Sequence, residues 1–317
     1  MRPILPEKLA RERLMQSLKE PRDTASSSRT RKAHLPRTLS RTVWFLIVFL
    51  LFAVVVTFVG LPMVALFSQA TLSGFLNSFS TELVVQALKL SLLTTLSTLC
   101  IVVLYATPVA YYNAHHSYHG KRIIETLIDL PIVLPPAVAG IALLLAFGRR
   151  GLLGQYFGIL GINIAFTTVA VVMAQIFVSA PFYVRQATTS FEDVDPEYER
   201  AARTLGASSA GTFFRVTAPI ALNGLVSGAL MAWARALGEF GATILFAGNF
   251  QGVTQTMPLA IYSAFGSDLD AAVYLAIILV LISFTVIITV KVLTLREKGA
   301  AKEEKSVLDR GPPPAES

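Results

Sequence analysis

Residues 43–67 read VWFLIVFLLFAVVVTFVGLPMVALF, without one charged side chain. A bilayer core about 30 Å thick takes about 20 mainly apolar residues in a helix, so this run is long enough to cross it. Five more such runs follow, at Leu83–Tyr112, Ile123–Phe147, Phe166–Ser190, Ile220–Phe246 and Ala271–Leu295. Backbone groups in lipid must be satisfied within their own segment, which forces helices, and the runs are too uniformly apolar for barrel strands. The expected fold class is therefore all-α: a polytopic membrane protein with six transmembrane helices.

Composition agrees, since 54% of the 317 residues are apolar and 15% carry charge, against roughly a quarter in an ordinary soluble domain. A water-soluble enzyme is excluded on that ground. The single cysteine, Cys100, rules out a disulfide framework or a cysteine-based zinc site, which need several thiols at set spacings. His115, His116 and His119 sit among Lys121 and Arg122 with no carboxylate or thiol beside them. They read as a hydrated surface loop, and no metal is assigned.

The formal charge of +7 follows topology. Assigning Lys and Arg to alternate sides puts 23 on one and two, Arg149 and Arg150, on the other, with Arg185, Arg200, Arg203 and Arg215 in the fourth loop. Loops on the cytoplasmic side are enriched in these residues, so both termini are expected in the cytoplasm, of a cell inner membrane, and no nucleic-acid surface is implied. The segment 1–42 is basic, rich in Ser and Pro, and expected to be a disordered tail. A cleaved signal peptide is disfavoured, because the run from Val43 far exceeds a typical apolar core for one. Residues 43–295 form the six-helix bundle, and 296–317 a cytoplasmic tail holding Pro312, Pro313 and Pro314.

The loop 191–219 is too long for a simple connector and too polar to be buried. Asp195 suits an N-cap, Pro196 the first helical position, Glu197 and Glu199 the positive end of the dipole, and Gly206 a left-handed stop. A helix from Pro196 to Leu205 follows, with Ala201 and Ala202 allowing close approach of another backbone. Ser208 or Ser209 caps a second helix that ends before Pro219.

The run Glu199-Arg200-Ala201-Ala202-Arg203-Thr204-Leu205-Gly206, nine residues, then Val216-Thr217-Ala218-Pro219 resembles the EAA loop of permease subunits of binding-protein-dependent ABC importers. It departs from that family's pattern at Arg200, which stands between Glu199 and the alanines, at Val216 in place of Ile and at Ala218 in place of Leu. The resemblance implies a type I-like permease fold. It implies ATPase coupling through Glu199, Ala201, Ala202, Gly206 and Pro219, and partner ABC ATPase subunits that hold the ATP and Mg. The chain itself has no G-x-x-x-x-G-K-[ST] phosphate loop, so it is expected to bind no cofactor and to act as a transport subunit, not an enzyme.

Two further stretches are similar to the molybdate and sulfate permease subfamily: Asp129-Leu130-Pro131-Ile132-Val133-Leu134-Pro135-Pro136 with Phe147-Gly148-Arg149-Arg150-Gly151, and Arg235-Ala236-Leu237-Gly238-Glu239-Phe240-Gly241-Ala242-Thr243 continuing to Thr254-Gln255-Thr256-Met257-Pro258. The second is most like molybdate permeases. The likeness covers roughly 83–295, and implies molybdate or tungstate as cargo, an extracytoplasmic oxyanion-binding protein, and a homodimer.

Physical reasoning marks a path in the same places. Pro131, Pro135 and Pro136 remove donors and should break the third span, which is tolerated at membrane depth only where protein or water covers the freed carbonyls. Arg235 lies roughly 24 Å into the fifth span at 1.5 Å per residue. A charge there costs about 3 kcal/mol and should face the bundle interior or water, paired with Glu239 one turn on. Pro135, Pro136, Arg235, Gly238, Glu239 and Gly241 are the expected gate, a structural ion pair being the competing reading of Arg235 and Glu239. Lys89 is expected to snorkel outward, and Gly224 and Gly228 to pack helices closely. The rival functions are a sulfate or thiosulfate permease and an ATPase-independent secondary transporter. The second should carry many intramembrane carboxylates, whereas only Glu125, Asp129 and Glu239 stand out.

Overall fold

The computed structural model describes residues 37–309, with side chains at 43–289, 291 and 292. The expected tail 1–42 lies outside the described residues as far as 36, and so do the three C-terminal prolines. The described residues fall into two units that divide after Pro62. Helix α1 (Arg37–Ser68), whose residues up to Pro62 make the first, shows Phe49, Phe52 and Phe58 to its surroundings, as a helix in lipid does.

The second unit continues through α2 (Leu72–Ser78), α3 (Glu82–His115), α4 (Lys121–Val133), α5 (Pro136–Phe147), α6 (Gly154–Ile159) and α7 (Thr168–Glu192). There follow α8 (Pro196–Thr204), α9 (Ser209–Thr212), a π-turn (Phe213–Thr217), α10 (Ala218–Leu237), α11 (Gly241–Phe246), α12 (Met257–Phe265) and α13 (Leu269–Asp309). No strand occurs among the described residues. Among the described residues five helices are long and apolar enough to cross a membrane, and α4 with α5, bent by 115° at their break, makes up to a sixth when the pair counts as one span.

The core is built from small residues. Hydrophobic burial cannot drive helices together in lipid, so close packing must. Ala106, Ala110, Ala187 and Ala232 are buried where α3, α7 and α10 meet. Gly228 leaves a Cβ position 2.9 Å from the Gln186 Cβ, and Gly224 faces the Ser190 hydroxyl. The two glycines thus serve packing of α10 on α7 within the chain. Between the same helices, Gln175 donates to the Thr94 hydroxyl (3.3 Å) and accepts from Thr98 (3.0 Å), while Trp233 donates to Thr95 (3.0 Å). Such bonds across helices average about 0.6 kcal/mol each.

Three boundaries differ from expectation. The helix expected to end before Pro219 runs on unbroken from Ser209 to Leu237, because the π-turn absorbs the proline. The Ala218 amide reaches back five residues to Phe213, and that wider turn relieves the clash a proline ring makes one turn earlier. The fifth span therefore ends at Leu237, not Phe246, whose apolar neighbours belong to the separate helix α11. Past residue 296, where a tail is expected, helical backbone continues to Asp309, as its Lys, Glu and Ala favour. Lys89 is exposed on α3, seven residues from its start.

The break in the third span falls at Leu134–Pro135, between extended backbone at Leu134 and the helix start at Pro136. Pro131 sits inside α4 without ending it. Helix α5 then packs on α11 through glycine: at Gly140 an added Cβ would stand 2.8 Å from the Ala242 carbonyl oxygen. Replacing Gly140 with Leu should therefore separate the two short helices at a cost of about 1–3 kcal/mol, read as a lowered melting midpoint of the detergent-purified protein.

Candidate functional site

The loop helix α8 forms as its end residues dictate. Asp195 accepts from the Glu197 amide (2.8 Å), Pro196 opens the helix, and Gly206 closes it at φ +88°. Space does not demand glycine at 206, since nothing lies within 4 Å of a Cβ there; the left-handed backbone does. Ala201 and Leu205 are exposed, Leu205 by 89%, beside exposed Tyr198 and Phe214, while Ala202 is half-buried and Pro219 exposed. The outer face of α8 is thus an apolar strip flanked by Arg200 and Arg203.

Glu199 points the other way and is 5% exposed. One oxygen accepts from the Thr217 hydroxyl at 2.6 Å and from Tyr111 at 3.4 Å, and lies 3.1 Å from the His115 Nε2; the other meets Arg203 at 3.4 Å. The Tyr111 ring packs edge-on against Phe191 and Phe213. The end of α3 and the π-turn therefore converge under α8 on one carboxylate, with Phe191 of α7 packed behind Tyr111. His115 accordingly belongs to the last turn of α3, with its Nδ1 3.0 Å from the Tyr111 carbonyl, and not to a hydrated loop. The local run of histidines hid this, because the partner lies far along the chain.

The gate residues come together in part. Arg235 donates to Glu239 at 2.7 Å, and the other Glu239 oxygen accepts from the Ala242 amide at 2.7 Å. Glu239, 1% exposed, thereby joins the end of α10 to the start of α11. Gly241 abuts Pro136, where an added Cβ would stand 2.6 Å from the proline Cβ. The breaks in the third and fifth spans are thus in contact. Pro135 caps α5 and is exposed, and Gly238 ends α10 at φ −86° with room for a Cβ, so glycine is not required at 238.

A second ion pair escaped the sequence reading. Arg185, assigned there to a loop, lies inside α7 and makes a bidentate pair with Asp129 of α4, 2.7 Å at each contact. It ties α4, a helix with no buried side chain, to α7, as the Lys121 ammonium ties the start of α4 to the Asn113 carbonyl of α3 at 2.6 Å. The pair borders a cavity of about 360 Å³ with Asn113, Glu125 and Glu192. Beside it, an apolar cavity of about 480 Å³ lies among Tyr105, Leu127, Pro131, Phe177 and Pro181. Arg185 is about 10 Å from the end of its helix and its side chain is 66% exposed, which is tolerable only toward water or protein. No side-chain group suited to holding a metal ion occurs among the described residues.

Residues 106–296 match the family described as "Binding-protein-dependent transport system inner membrane component". The chain is similar to the "Molybdenum transport system permease protein ModB" of Mycobacterium tuberculosis, 44% identical over 235 residues, covering 74% of this chain and 89% of that one. It is 35% identical to the "Molybdate/tungstate transport system permease protein WtpB" of Pyrococcus abyssi over 238 residues, covering 74% and 90%. Its fold is shared with a chain of a bacterial ABC transporter involved in the import of the acidic polysaccharide alginate. There the TM-score is 0.63 at 16% identity, covering 82% of this chain and 99% of that one.

Removing the Glu199 carboxylate should leave the Thr217 hydroxyl and His115 without their acceptor. Glu199→Ala is expected to cost about 1–3 kcal/mol locally, seen as amide exchange over 196–206 faster by about 5- to 150-fold, with exchange at α10 unchanged.

Proposed function

The chain belongs to the family of binding-protein-dependent transport system inner membrane components and is a permease subunit of an ABC importer; from that premise we propose that its cargo is molybdate, with tungstate also accepted. The names of the relatives that cover most of both chains support this cargo. The two ions are nearly isosteric tetrahedral dianions, so a path formed of fixed donors treats them alike. Sulfate or thiosulfate is the rival cargo.

The protein acts as a homodimer, with two ATPase subunits in the cytoplasm and an extracytoplasmic binding protein that delivers the anion. ATP and Mg belong to the ATPases, and this chain performs no hydrolysis of its own. Both termini and α8 lie on the cytoplasmic side of the inner membrane. The Lys and Arg asymmetry supports that orientation and survives the placement of Arg185 within α7. Arg149 and Arg150, exposed on the opposite side, suit contact with the binding protein.

The observation that carries the reading is the two-faced helix α8: Glu199 fixes it to the bundle while Ala201, Leu205 and Tyr198 remain free for the ATPase. Closure of the ATPases would then move α8 together with the ends of α3, α7 and α10. At the far end the contact of Pro136 with Gly241 and the Arg235–Glu239 link form the gate. Arg235 and Glu239 act there by holding α10 to α11, so Arg235→Met should lower uptake in a correctly assembled complex.

Replacing Ala201 with Trp should strip the ATPase from the purified complex while leaving the permease in the membrane, as co-purification measures. Tracer molybdate uptake should be lost with it. In wild type, unlabelled tungstate should compete for uptake and micromolar sulfate should not; a block by sulfate would favour the rival cargo.

A further inference from the structure

Seven buried side-chain polar atoms lack a hydrogen-bond partner among the described residues, and four of them fall within 243–256: Thr243 Oγ1, Asn249 Oδ1, Gln255 Oε1 and Thr256 Oγ1. An unsatisfied buried group costs about 1–3 kcal/mol. Such a concentration calls for a state in which the groups are satisfied.

The geometry shows what is missing. Asn249 and Gln255 both donate to the Ser263 hydroxyl, at 2.7 and 3.3 Å. The two amides carry four N–H donors, of which the one hydroxyl accepts at most two. Rotating either amide by 180° puts its N–H groups where an unpartnered oxygen now lies. Every unsatisfied position can thus present a donor. Gln255 is only 7% exposed and Thr256 1%, whereas Ser263 is exposed. The buried Gln255 amide and the half-buried Asn249 amide are therefore reachable at Ser263.

Its position is fixed by long-range bonds. The Val253 carbonyl accepts from Thr168 at the start of α7 (2.8 Å), and the Met257 amide donates to Ser91 on α3 (2.7 Å). These contacts put it at the end of the bundle opposite α8. Beside Ser263, the Tyr262 ring meets Phe240 of the fifth-span break, with centroids 5.3 Å apart. From Phe240 to Ser267 the sequence has no Lys, Arg, Asp or Glu, so every donor in this stretch is neutral. A ligand that only accepts hydrogen bonds suits it. Neutral donors also let a dianion go more readily than an arginine would, as a conducting path requires.

We infer that Asn249, Gln255 and Ser263 form the first subsite of the path for a tetrahedral oxyanion, entered past Ser263 when the Phe240–Tyr262 contact opens. The inference rests on the cargo proposed above. The importer, with its ATPases, reconstituted in proteoliposomes and supplied with molybdate-loaded binding protein, provides the test. Asn249→Asp keeps the size of the side chain but sets a carboxylate against the dianion. It should lower initial uptake of tracer molybdate at least about tenfold, while binding-protein-stimulated ATP hydrolysis stays within about twofold of wild type. Ser263→Ala, at an exposed position, should also lower uptake with hydrolysis preserved. Uptake unchanged in both variants, or uptake and hydrolysis falling in parallel, would overturn the subsite alone. A wild-type complex that imports neither molybdate, tungstate nor sulfate would overturn the cargo and the subsite together.

Discussion

A buried carboxylate with three neighbours from two other elements, Tyr111 and His115 of α3 and Thr217 of the π-turn, holds the loop helix to the spans. Glu199 cannot turn to solvent without leaving Thr217 and His115 unpaired, and a broken buried charge network is among the costlier single losses in a fold. Helix α8 is nine residues long, too short to persist on its own in water. In the proposed coupling, its attachment is what makes it a solid object for a partner to push, and the exposed strip of Tyr198, Ala201 and Leu205 serves only because the opposite face is fixed.

The far end of the bundle follows the same logic with different chemistry. Glu239 spans the gap between α10 and α11 with one oxygen on Arg235 and the other on the Ala242 amide. Glycines 140 and 241 let α11 lie against α5. Between the ends, the hydrogen bonds of Gln175, Thr98 and Trp233 join α3, α7 and α10. The proposed switch thus has a tied middle and jointed ends, and the bidentate Arg185–Asp129 pair tethers the otherwise unburied α4 beside the inner cavity.

Much of this was legible from local rules. The caps Asp195, Pro196 and Gly206 act within one turn and placed α8 to within a residue. Runs of apolar residues gave the spans, and consecutive prolines gave the break at 134–136. What stayed hidden depends on partners remote in sequence. The direction of Glu199 is set by Tyr111 and His115, and the contact of Pro136 with Gly241 joins segments a hundred residues apart. Helix α12 falls between the expected fifth and sixth spans, its nine residues being too few to cross a membrane, and the π-turn that carries the chain past Pro219 has no sequence signature.

The central claim is that α8 and the end of α3 move as one body. After replacement of Cys100 by Ala, spin labels at Leu104 on α3 and Arg200 on α8 allow their separation to be measured by double electron–electron resonance in the assembled importer. Between the nucleotide-free and ATP-trapped states the distance should stay constant to within about 1.5 Å, the rise of one helical residue. A change of about 5 Å or more, a full helical turn, would mean that α8 swings on its own and that Glu199 does not transmit the motion.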